Sequence, residues 1–164
     1  MAYFIIIRGP LGIGKTTIAR ALAKILNAEY ISIDKVLEEN GLDREDNNFV
    51  PEDFIKANEI MLPKIRGELS KGKIVIFDGC FYFKEQIKHF QRNLSFKGYI
   101  FNLKADVETC IQRDGKRKKV YGEKAAREVH NLTSKFDYGI NIDTDKKTKE
   151  QVIDEILSYL PKKE

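Results

Sequence analysis

The sequence predicts an α/β fold of three layers, in which a five-stranded parallel sheet lies between two layers of helices. Short apolar runs rich in β-branched residues alternate with longer segments of helical periodicity along the whole chain. The first apolar run ends in a glycine-rich turn, and a helical pattern follows it directly. No linker, repeat or low-complexity segment interrupts the alternation, so we expect a single domain over residues 1–164.

Five short segments are predicted to be strands. The first reads Tyr-Phe-Ile-Ile-Ile, an unbroken apolar run that is typical of a strand buried on both faces. The third contains a second run of this kind, Ile-Val-Ile-Phe. The predicted strands are residues 3–7, 29–33, 73–77, 98–103 and 139–142.

Seven segments are predicted to be helical. Pro51 stands in the first turn of the longest one, where proline is tolerated, and Pro63 is expected to bend that helix. Asp106 and Thr148 are expected to cap the helices that follow them. The predicted helices are residues 16–26, 35–39, 51–69, 83–94, 106–113, 125–136 and 148–160, with a polar loop at 41–50.

The composition excludes several classes of protein. The apolar runs are far shorter than a membrane span, and the first residues do not form an export signal, so we expect a cytoplasmic protein without membrane contact. Cys80 and Cys110 lack the spacing of metal ligands and are expected to be small core residues. The net charge of +4 is concentrated at residues 116–119 and 146–147, which is compatible with a nucleic-acid partner but does not require one.

The turn after the first strand carries the strongest functional signal. It reads Gly-Pro-Leu-Gly-Ile-Gly-Lys-Thr and fits G-x-x-x-x-G-K-[ST], the phosphate-binding P-loop. Glycines let the backbone curl around an anion, and the following helix offers unpaired N–H groups. Lys15 is expected to reach the β- and γ-phosphates, and the Thr16 hydroxyl to bind Mg²⁺. The predicted nucleotide-binding residues here are Gly9, Leu11, Gly12, Ile13, Gly14, Lys15, Thr16 and Thr17.

Carboxylates follow two predicted strands at the edge of the sheet where ligands bind in such folds. Asp34 follows the second strand and Asp78 the third. Phosphoryl transfer uses one carboxylate as the base and often another beside the metal, so we assign Asp34 as the base and Asp78 to the metal. The two roles could be exchanged, Asp34 could instead cap a helix, and Asp78 could instead shape a turn with Gly79. Asp143, after the fifth strand, is expected to be structural.

A basic segment lies between two predicted helices, at about residues 113–123. It could close over a triphosphate as a lid, with Gly115 and Gly122 as hinges and with Arg113 or Arg117 stabilising the developing charge. The segment could also be a solvated charge run, or its lysines could contact a polynucleotide.

Two further sets of side chains are weaker candidates. Residues 81–83 are aromatic and could stack on a base, although core packing is the favoured interpretation. Arg44 and Arg66 could bind an anionic acceptor, although a surface position is favoured.

With these residues in place, the chain resembles the small P-loop kinases, a group that includes adenylate, shikimate, gluconate and adenylylsulfate kinases, zeta-toxin-like kinases and polynucleotide 5′-hydroxyl kinases. The resemblance is most specific over residues 6–17. The segment Ile-Ser-Ile-Asp at 31–34 is similar to a motif of polynucleotide-kinase-like members, in which the aspartate activates the acceptor hydroxyl. The segment at 110–114 is similar to one of adenylylsulfate kinases, which implies that Arg113 begins the lid and packs against adenine.

The resemblance implies a P-loop NTPase fold and an ATP- and Mg²⁺-dependent transfer of the γ-phosphoryl group to a hydroxyl. The implied partners are a nucleoside triphosphate and an acceptor, which could be a small molecule, a nucleotide or a nucleic-acid end. We find neither the glycine-rich third-strand signature of shikimate kinases nor the long lid of adenylate kinases, so the identity of the acceptor stays open. The sequence also does not decide whether the donor is ATP or GTP, or whether the protein is a monomer or a homodimer. The alternative is a nucleotide-binding NTPase with a regulatory or assembly role.

Overall fold

The computed structural model describes residues 1–44 and 48–162; residues 45–47, within the predicted polar loop, and residues 163–164 lie outside this part. Strands and helices alternate along the described chain. Within it, no helix combines the length and the apolar character needed to cross a membrane. The elements are β1 (Tyr3–Arg8), α1 (Lys15–Leu26), β2 (Glu29–Ser32), α2 (Ile33–Glu39), α3 (Pro51–Ser70), β3 (Val75–Gly79), α4 (Lys84–Asn93), β4 (Lys97–Lys104), α5 (Val107–Gly115), α6 (Glu123–Thr133), β5 (Ile140–Asp143) and α7 (Lys149–Ser158).

The strands form one sheet in the order β2-β3-β1-β4-β5, and every pairing is parallel. The predicted α/β class and five-stranded parallel sheet are therefore confirmed. Since β1 lies at the centre between β3 and β4, the turn that follows it emerges in the middle of one sheet edge. The segments after β2 and β3 lie on one side of that turn, and those after β4 and β5 on the other.

Two hydrophobic clusters cover the two faces of the sheet, and β1 supplies alternate residues to each. Phe4 and Ile6 pack with apolar side chains of α2, α3 and α4. Ile5 and Ile7 pack with side chains of α1 and α7. Successive side chains of a strand point to opposite faces, so a strand covered by helices on both sides needs apolar residues throughout. This requirement explains the unbroken apolar run in the sequence.

Several boundaries differ from the predicted ones in ways that matter for the site. β3 extends to Gly79, because its last two residues pair with the end of β1. Asp78 therefore lies within the strand and not in a turn after it. Helix α2 begins at Ile33, and Ser32 caps it by accepting a hydrogen bond from the backbone N–H of Lys35 at 3.3 Å.

The two predicted helix caps have different outcomes. Thr148 caps α7 through a reciprocal capping box with Gln151, as predicted. Asp106 stands at the N-cap position of α5, but its side chain makes no capping bond. Instead its backbone N–H donates to the carboxylate of Asp145, which follows β5. A long-range contact has thus replaced the local cap.

Candidate functional site

The glycine-rich turn folds into a cradle between β1 and α1. Gly12 and Gly14 have φ angles of 80° and 97°, a conformation that side-chain-bearing residues rarely adopt. Gly14 is the N-cap of α1, so the first backbone N–H groups of the helix lie at the cradle. The Lys15 side chain folds back and donates to the carbonyl of Pro10 at 3.3 Å. The loop therefore presents N–H donors and a cation to one point, as an anion requires.

Helix α5 holds the cradle from behind. A Cβ atom on Gly12 would lie 2.3 Å from the carbonyl oxygen of Cys110, so no larger residue fits there. Arg113 of the same helix donates to the carbonyl of Ile13 at 3.2 Å and to the Thr144 hydroxyl at 3.1 Å. Arg113 thus ties the loop to the segment that follows β5.

The buried Arg8 holds the strand that leads into the cradle. The Arg8 guanidinium donates to the Asn102 side chain and to the carbonyls of Phe81, Thr133 and Phe136, at 2.7 to 3.2 Å. Burial lowers the pKa of this arginine to about 10. Its contacts join the end of β1 to the end of α6 and to the loop after β3. Arg8 therefore ties the strand that leads into the cradle to these two segments.

Asp78 lies beside the first turn of α1. Its Oδ2 atom accepts hydrogen bonds from the Thr16 hydroxyl at 2.8 Å and from the Tyr30 hydroxyl at 2.5 Å. Burial, and then Asp78 itself, raise the pKa of Tyr30 to about 12, so Tyr30 stays a donor at neutral pH. The predicted metal residues Thr16 and Asp78 are in direct contact, and Tyr30 orients the carboxylate.

Asp34 occupies the second position of α2 and faces the same cavity as Lys15. It does not cap the helix, since Ser32 has that role. Desolvation by the surrounding protein raises the pKa of Asp34, and the negative charge of Asp78 raises it further. The positive charges of Lys15 and Arg117 oppose this rise. Asp34 is nevertheless an exposed residue and lines the cavity. Asp34 is therefore accessible to a ligand and is a stronger base than an ordinary aspartate.

Lys15 is buried, and its environment is dominated by acidic groups. Burial acts to lower the pKa of Lys15, but Cys80, Asp78 and Asp34 together outweigh that effect, and the net shift is upward. Burial raises the pKa of the Cys80 thiol. Lys15 is therefore a permanent cation at the floor of the cavity.

Lys15, Thr16, Asp34 and Cys80 line a single cavity of about 810 Å³. Of the predicted nucleotide-binding residues, Leu11, Gly12, Gly14, Lys15, Thr16, Thr17 and Arg113 line it, together with Arg117. The Ile13 side chain lies in the core, and Gly9 packs against Leu103. A cavity of this volume is large enough for a nucleotide and part of a second molecule.

One end of the cavity has an aromatic wall. Phe49 and Tyr82 are stacked, with ring centroids 4.5 Å apart and planes at 19°. The buried Phe54 meets the edge of both rings. Residues 81–83 were predicted as core, and this holds for the buried Phe81, whereas Tyr82 lines the cavity. We refer to Phe49, Phe54 and Tyr82 as the aromatic wall.

The two arginines named as possible acceptor contacts have different positions. Arg44 lines the cavity and its Nε donates to Asp53 at 2.7 Å. Arg66 lies on the outer surface of α3 and donates to the carbonyl of Asn93. Arg66 is therefore not part of the site. Asp143 also lies outside it, where its carboxylate accepts from the backbone N–H of Asp145.

The basic segment is an ordered loop over the cavity. Its first three residues, Arg113 to Gly115, belong to α5 and not to the loop. The buried Asp114 carboxylate accepts from the backbone N–H groups of Tyr121 and Gly122, at 2.9 to 3.3 Å. Gly122 has the left-handed backbone expected of a hinge, with a φ of 93°, whereas Gly115 ends the helix without one. We refer to residues 116–122 as the lid.

The lid carries cations over the cavity. Arg117, Lys119 and Tyr121 line it, and the Tyr121 ring lies between the two cations at 5.3 and 5.2 Å. The nearest acid to Arg117 is Asp114, with 3.9 Å between Nη1 and Oδ1. The cations thus stay exposed and able to meet an anion.

Several residues at the site have no counterpart in the sequence-based assignment, among them Tyr30, Cys80 and Thr144. Tyr30 reaches Asp78 only because β2 and β3 pair with Ser32 beside Asp78. Thr144 reaches Arg113 only because β5 pairs with β4. No local pattern signals either contact.

Comparison with known proteins identifies the family. Residues 5–134 match the AAA domain family. The chain belongs to this family. It is 29% identical to a provisionally named adenylate kinase of Thermococcus kodakarensis, over 95% of this chain and 84% of that one. It is 30% identical to a shikimate kinase of Mannheimia succiniciproducens, over 74% and 70% of the two chains. The protein is a P-loop kinase.

Solved structures show the same fold for this P-loop kinase. A sugar kinase from Janibacter superposes with a TM-score of 0.76 at 17% identity, covering 97% of this chain and 94% of that one. A shikimate kinase from Acinetobacter baumannii, solved with shikimate, gives a TM-score of 0.63 at 19% identity, covering 97% and 93%. At these identities the likeness concerns the fold alone.

Proposed function

We propose that the protein transfers the γ-phosphoryl group of ATP to a hydroxyl group of a small molecule, with Mg²⁺ as the cofactor. One observation supports this above the others: Lys15, Thr16 and Asp34 face a single cavity, and the Thr16 hydroxyl is hydrogen-bonded to the buried Asp78. Three requirements of phosphoryl transfer are thus met side by side, namely a phosphate cradle, oxygen atoms for a metal and an accessible base.

The phosphate-binding role falls to the cradle and the lid. The N–H groups of residues 11–17 and the Lys15 ammonium would hold the β- and γ-phosphates. Arg117 and Arg113 lie on the lid side and would balance the charge that develops during transfer. Arg113 already donates to the loop itself, so it would also keep the cradle in shape.

The residues present fit a magnesium ion. Mg²⁺ prefers hard oxygen ligands and keeps several waters, so one or two protein oxygens beside the phosphates suffice. Thr16 and Asp78 offer a hydroxyl and a carboxylate in contact with each other, next to the cradle. When bound, the ion would neutralise charge on the β- and γ-phosphates. Tyr30 would keep Asp78 turned toward this position.

Asp34 would act as the base. It would take the proton of the acceptor hydroxyl as the acceptor oxygen forms a bond to the γ-phosphorus. The bond between that phosphorus and the oxygen bridging to the β-phosphate would break, and ADP would leave with the electron pair. The reachable position and the raised pKa of Asp34 favour it over Asp78, whose Oδ2 is occupied by two hydroxyl donors.

The compartment is proposed on the basis of the thiols. Both cysteines are buried and unpaired with each other. Reduced thiols are the rule in the cytoplasm, so we propose that the protein works there.

The test is ADP release from ATP and Mg²⁺ against a panel of hydroxyl compounds. We expect acceptor-dependent release in the wild type, and a loss of 10³-fold or more in Lys15→Ala, because the buried cation of the cradle is removed. Lys24→Ala is the matched control, since Lys24 is an exposed lysine on the same helix. A Lys15→Ala variant with normal turnover would refute the cradle assignment. Release that is equal with and without acceptors would favour a regulatory NTPase.

A further inference from the structure

We propose that the acceptor is an alcohol with an apolar ring face and no negative charge, so that it is neutral or cationic at pH 7. The inference rests on the proposed transfer at Asp34 and narrows its substrate class. It would separate this chain from kinases whose acceptors carry a phosphate or a carboxylate. The supporting observations are the charge and the shape of the cavity at the end formed by the segments that follow β2 and β3, which we call the acceptor end.

Carboxylates dominate the charge at this end. Asp34, Glu38, Asp43 and Asp53 line it from α2, the following segment and α3, and Glu128 lines the cavity from α6. Among the described lining residues of α2, α3 and the segment between them, Arg44 is the cation, and it is bound to Asp53 at 2.7 Å. Glu38, Asp43 and Glu128 form no ion pair with another described residue. An anion entering here would therefore meet like charge.

The other cations around the cavity lie where the triphosphate would be. Lys15 belongs to the cradle, and Arg113 is tied to the carbonyls of Ile13 and Thr144. Arg117 and Lys119 lie on the lid that follows α5, and Arg117 is near enough to Asp34 to oppose the rise in its pKa. The polyphosphate of the donor would engage these groups, so the acceptor end keeps its excess of carboxylates.

The shape of this end fits a ring. Leu37 and Leu42 line it together with the aromatic wall. Burial raises the pKa of the Tyr82 hydroxyl, so that the wall stays uncharged. An aromatic face accepts a second ring by offset stacking and attracts a cation, whereas it repels an anion. The wall and the carboxylates thus favour the same class of acceptor.

The first test compares acceptors in matched pairs that differ by one negative charge. Methyl shikimate with shikimate is a suitable pair. We expect kcat/KM to be at least tenfold higher for the uncharged member of any pair that is used. A preference for the anionic member would overturn the inference and leave the proposed phosphotransfer intact.

A charge reversal sharpens this test. In the double variant Glu38→Lys and Asp43→Lys, we expect the ratio of kcat/KM values to shift at least threefold toward the anionic member, because two rim carboxylates become cations. Glu39→Lys is the matched control, since Glu39 lies on the same helix, pairs with Lys35 and does not line the cavity. An equal shift in the control would contradict a local field at the acceptor end.

The second test needs no turnover. The chain contains no tryptophan, so Phe49→Trp places one fluorophore at the aromatic wall. At constant ionic strength, we expect caesium to quench it more strongly than iodide, relative to Ile60→Trp on the exposed side of α3. If the Phe49→Trp variant does not fold, Tyr82→Trp places the fluorophore at the same wall instead. Equal or stronger quenching by iodide would overturn the inference. If no compound releases ADP, the proposed function fails, and the quenching ratio still decides the charge of this end.

Discussion

The two ends of the cavity are built in opposite ways. The phosphate end comes from one contiguous segment, residues 9–17, whose backbone would do most of the binding in the proposed function. The acceptor end comes from α2, the start of α3 and the loop after β3, which are tens of residues apart in the chain. Backbone groups are the same in every sequence, so the first end can serve any kinase of this fold. Side chains make the second end, and they can be specific to one acceptor.

The largest expected effect is on the rate of the chemical step, without a change in phosphate binding. We expect Asp34→Asn to lower kcat by about 10²- to 10⁴-fold while ATP affinity is kept, because only the base is lost. Activity of the wild type should fall as pH drops through the raised pKa of Asp34, at a pH above the ordinary value of 3.8. Steady-state kinetics against pH measure both effects. Asp143→Asn, on the same sheet edge but outside the cavity, should change neither.

Asp34 also links function to stability. A carboxyl group whose pKa is higher in the folded state stabilises the fold at low pH and loses that contribution as pH rises. At neutral pH the ionised Asp34 therefore weakens the fold, and we expect Asp34→Asn to raise the melting temperature. A variant that melts earlier at neutral pH would contradict the raised pKa.

The next largest effect is a loss of stability, caused by a substitution that the backbone of the phosphate end cannot accommodate. Gly12→Ala should destabilise the fold by about 2–4 kcal/mol, the sum of a left-handed backbone and a clash with Cys110. Gly72→Ala is the matched control: Gly72 has a φ of 85°, and an added Cβ there would have no neighbour within 4 Å. It should cost only about 1–2 kcal/mol. Urea denaturation gives both values, and equal losses would show that the clash is relieved.

A smaller effect concerns the lid between the two ends. Asp114→Ala removes the acceptor of two backbone N–H groups, so we expect a loss of about 1–3 kcal/mol and a several-fold higher KM for ATP. Trypsin should then cleave faster after the lid residues Lys116 to Lys119. Asp145→Ala is the control, because this carboxylate also accepts a backbone N–H but lies outside the cavity. Unchanged cleavage in Asp114→Ala would show that other contacts order the lid.

The smallest effect tests the support of Asp78. Tyr30→Phe removes one hydrogen bond to that carboxylate, and we expect a loss of about 1 kcal/mol with a few-fold lower kcat. Tyr138→Phe is the control, since its hydroxyl donates to Gln91 away from the cavity. Chemical denaturation and kinetics on the pair measure the difference. If Tyr30→Phe and Tyr138→Phe have the same stability and the same kcat, then Tyr30 does not orient Asp78.

Sequence patterns predicted the features that depend on interactions between residues close together in the chain. The apolar run of β1 and the reciprocal cap at Thr148 depend on neighbours in the chain, and both were predicted. The cap at Asp106 was predicted wrongly: its side chain makes no capping bond, and its backbone N–H donates to a carboxylate 39 residues away. The extension of β3 to Gly79 was missed because the pairing with β1, and not the residue type, decides where the strand ends.

The sequence by itself determined the sheet, the phosphate cradle and the positions of Lys15, Thr16, Asp34 and Asp78 at one edge. Strand periodicity and a contiguous motif encode these features, and the parallel topology brings strand ends together. Only the tertiary structure decided that Tyr30 supports Asp78, that Arg8 and Arg113 hold the cradle, and that an aromatic wall with acidic neighbours forms the other end. Those contacts join segments far apart in the chain, and their geometry depends on how the helices pack on the sheet.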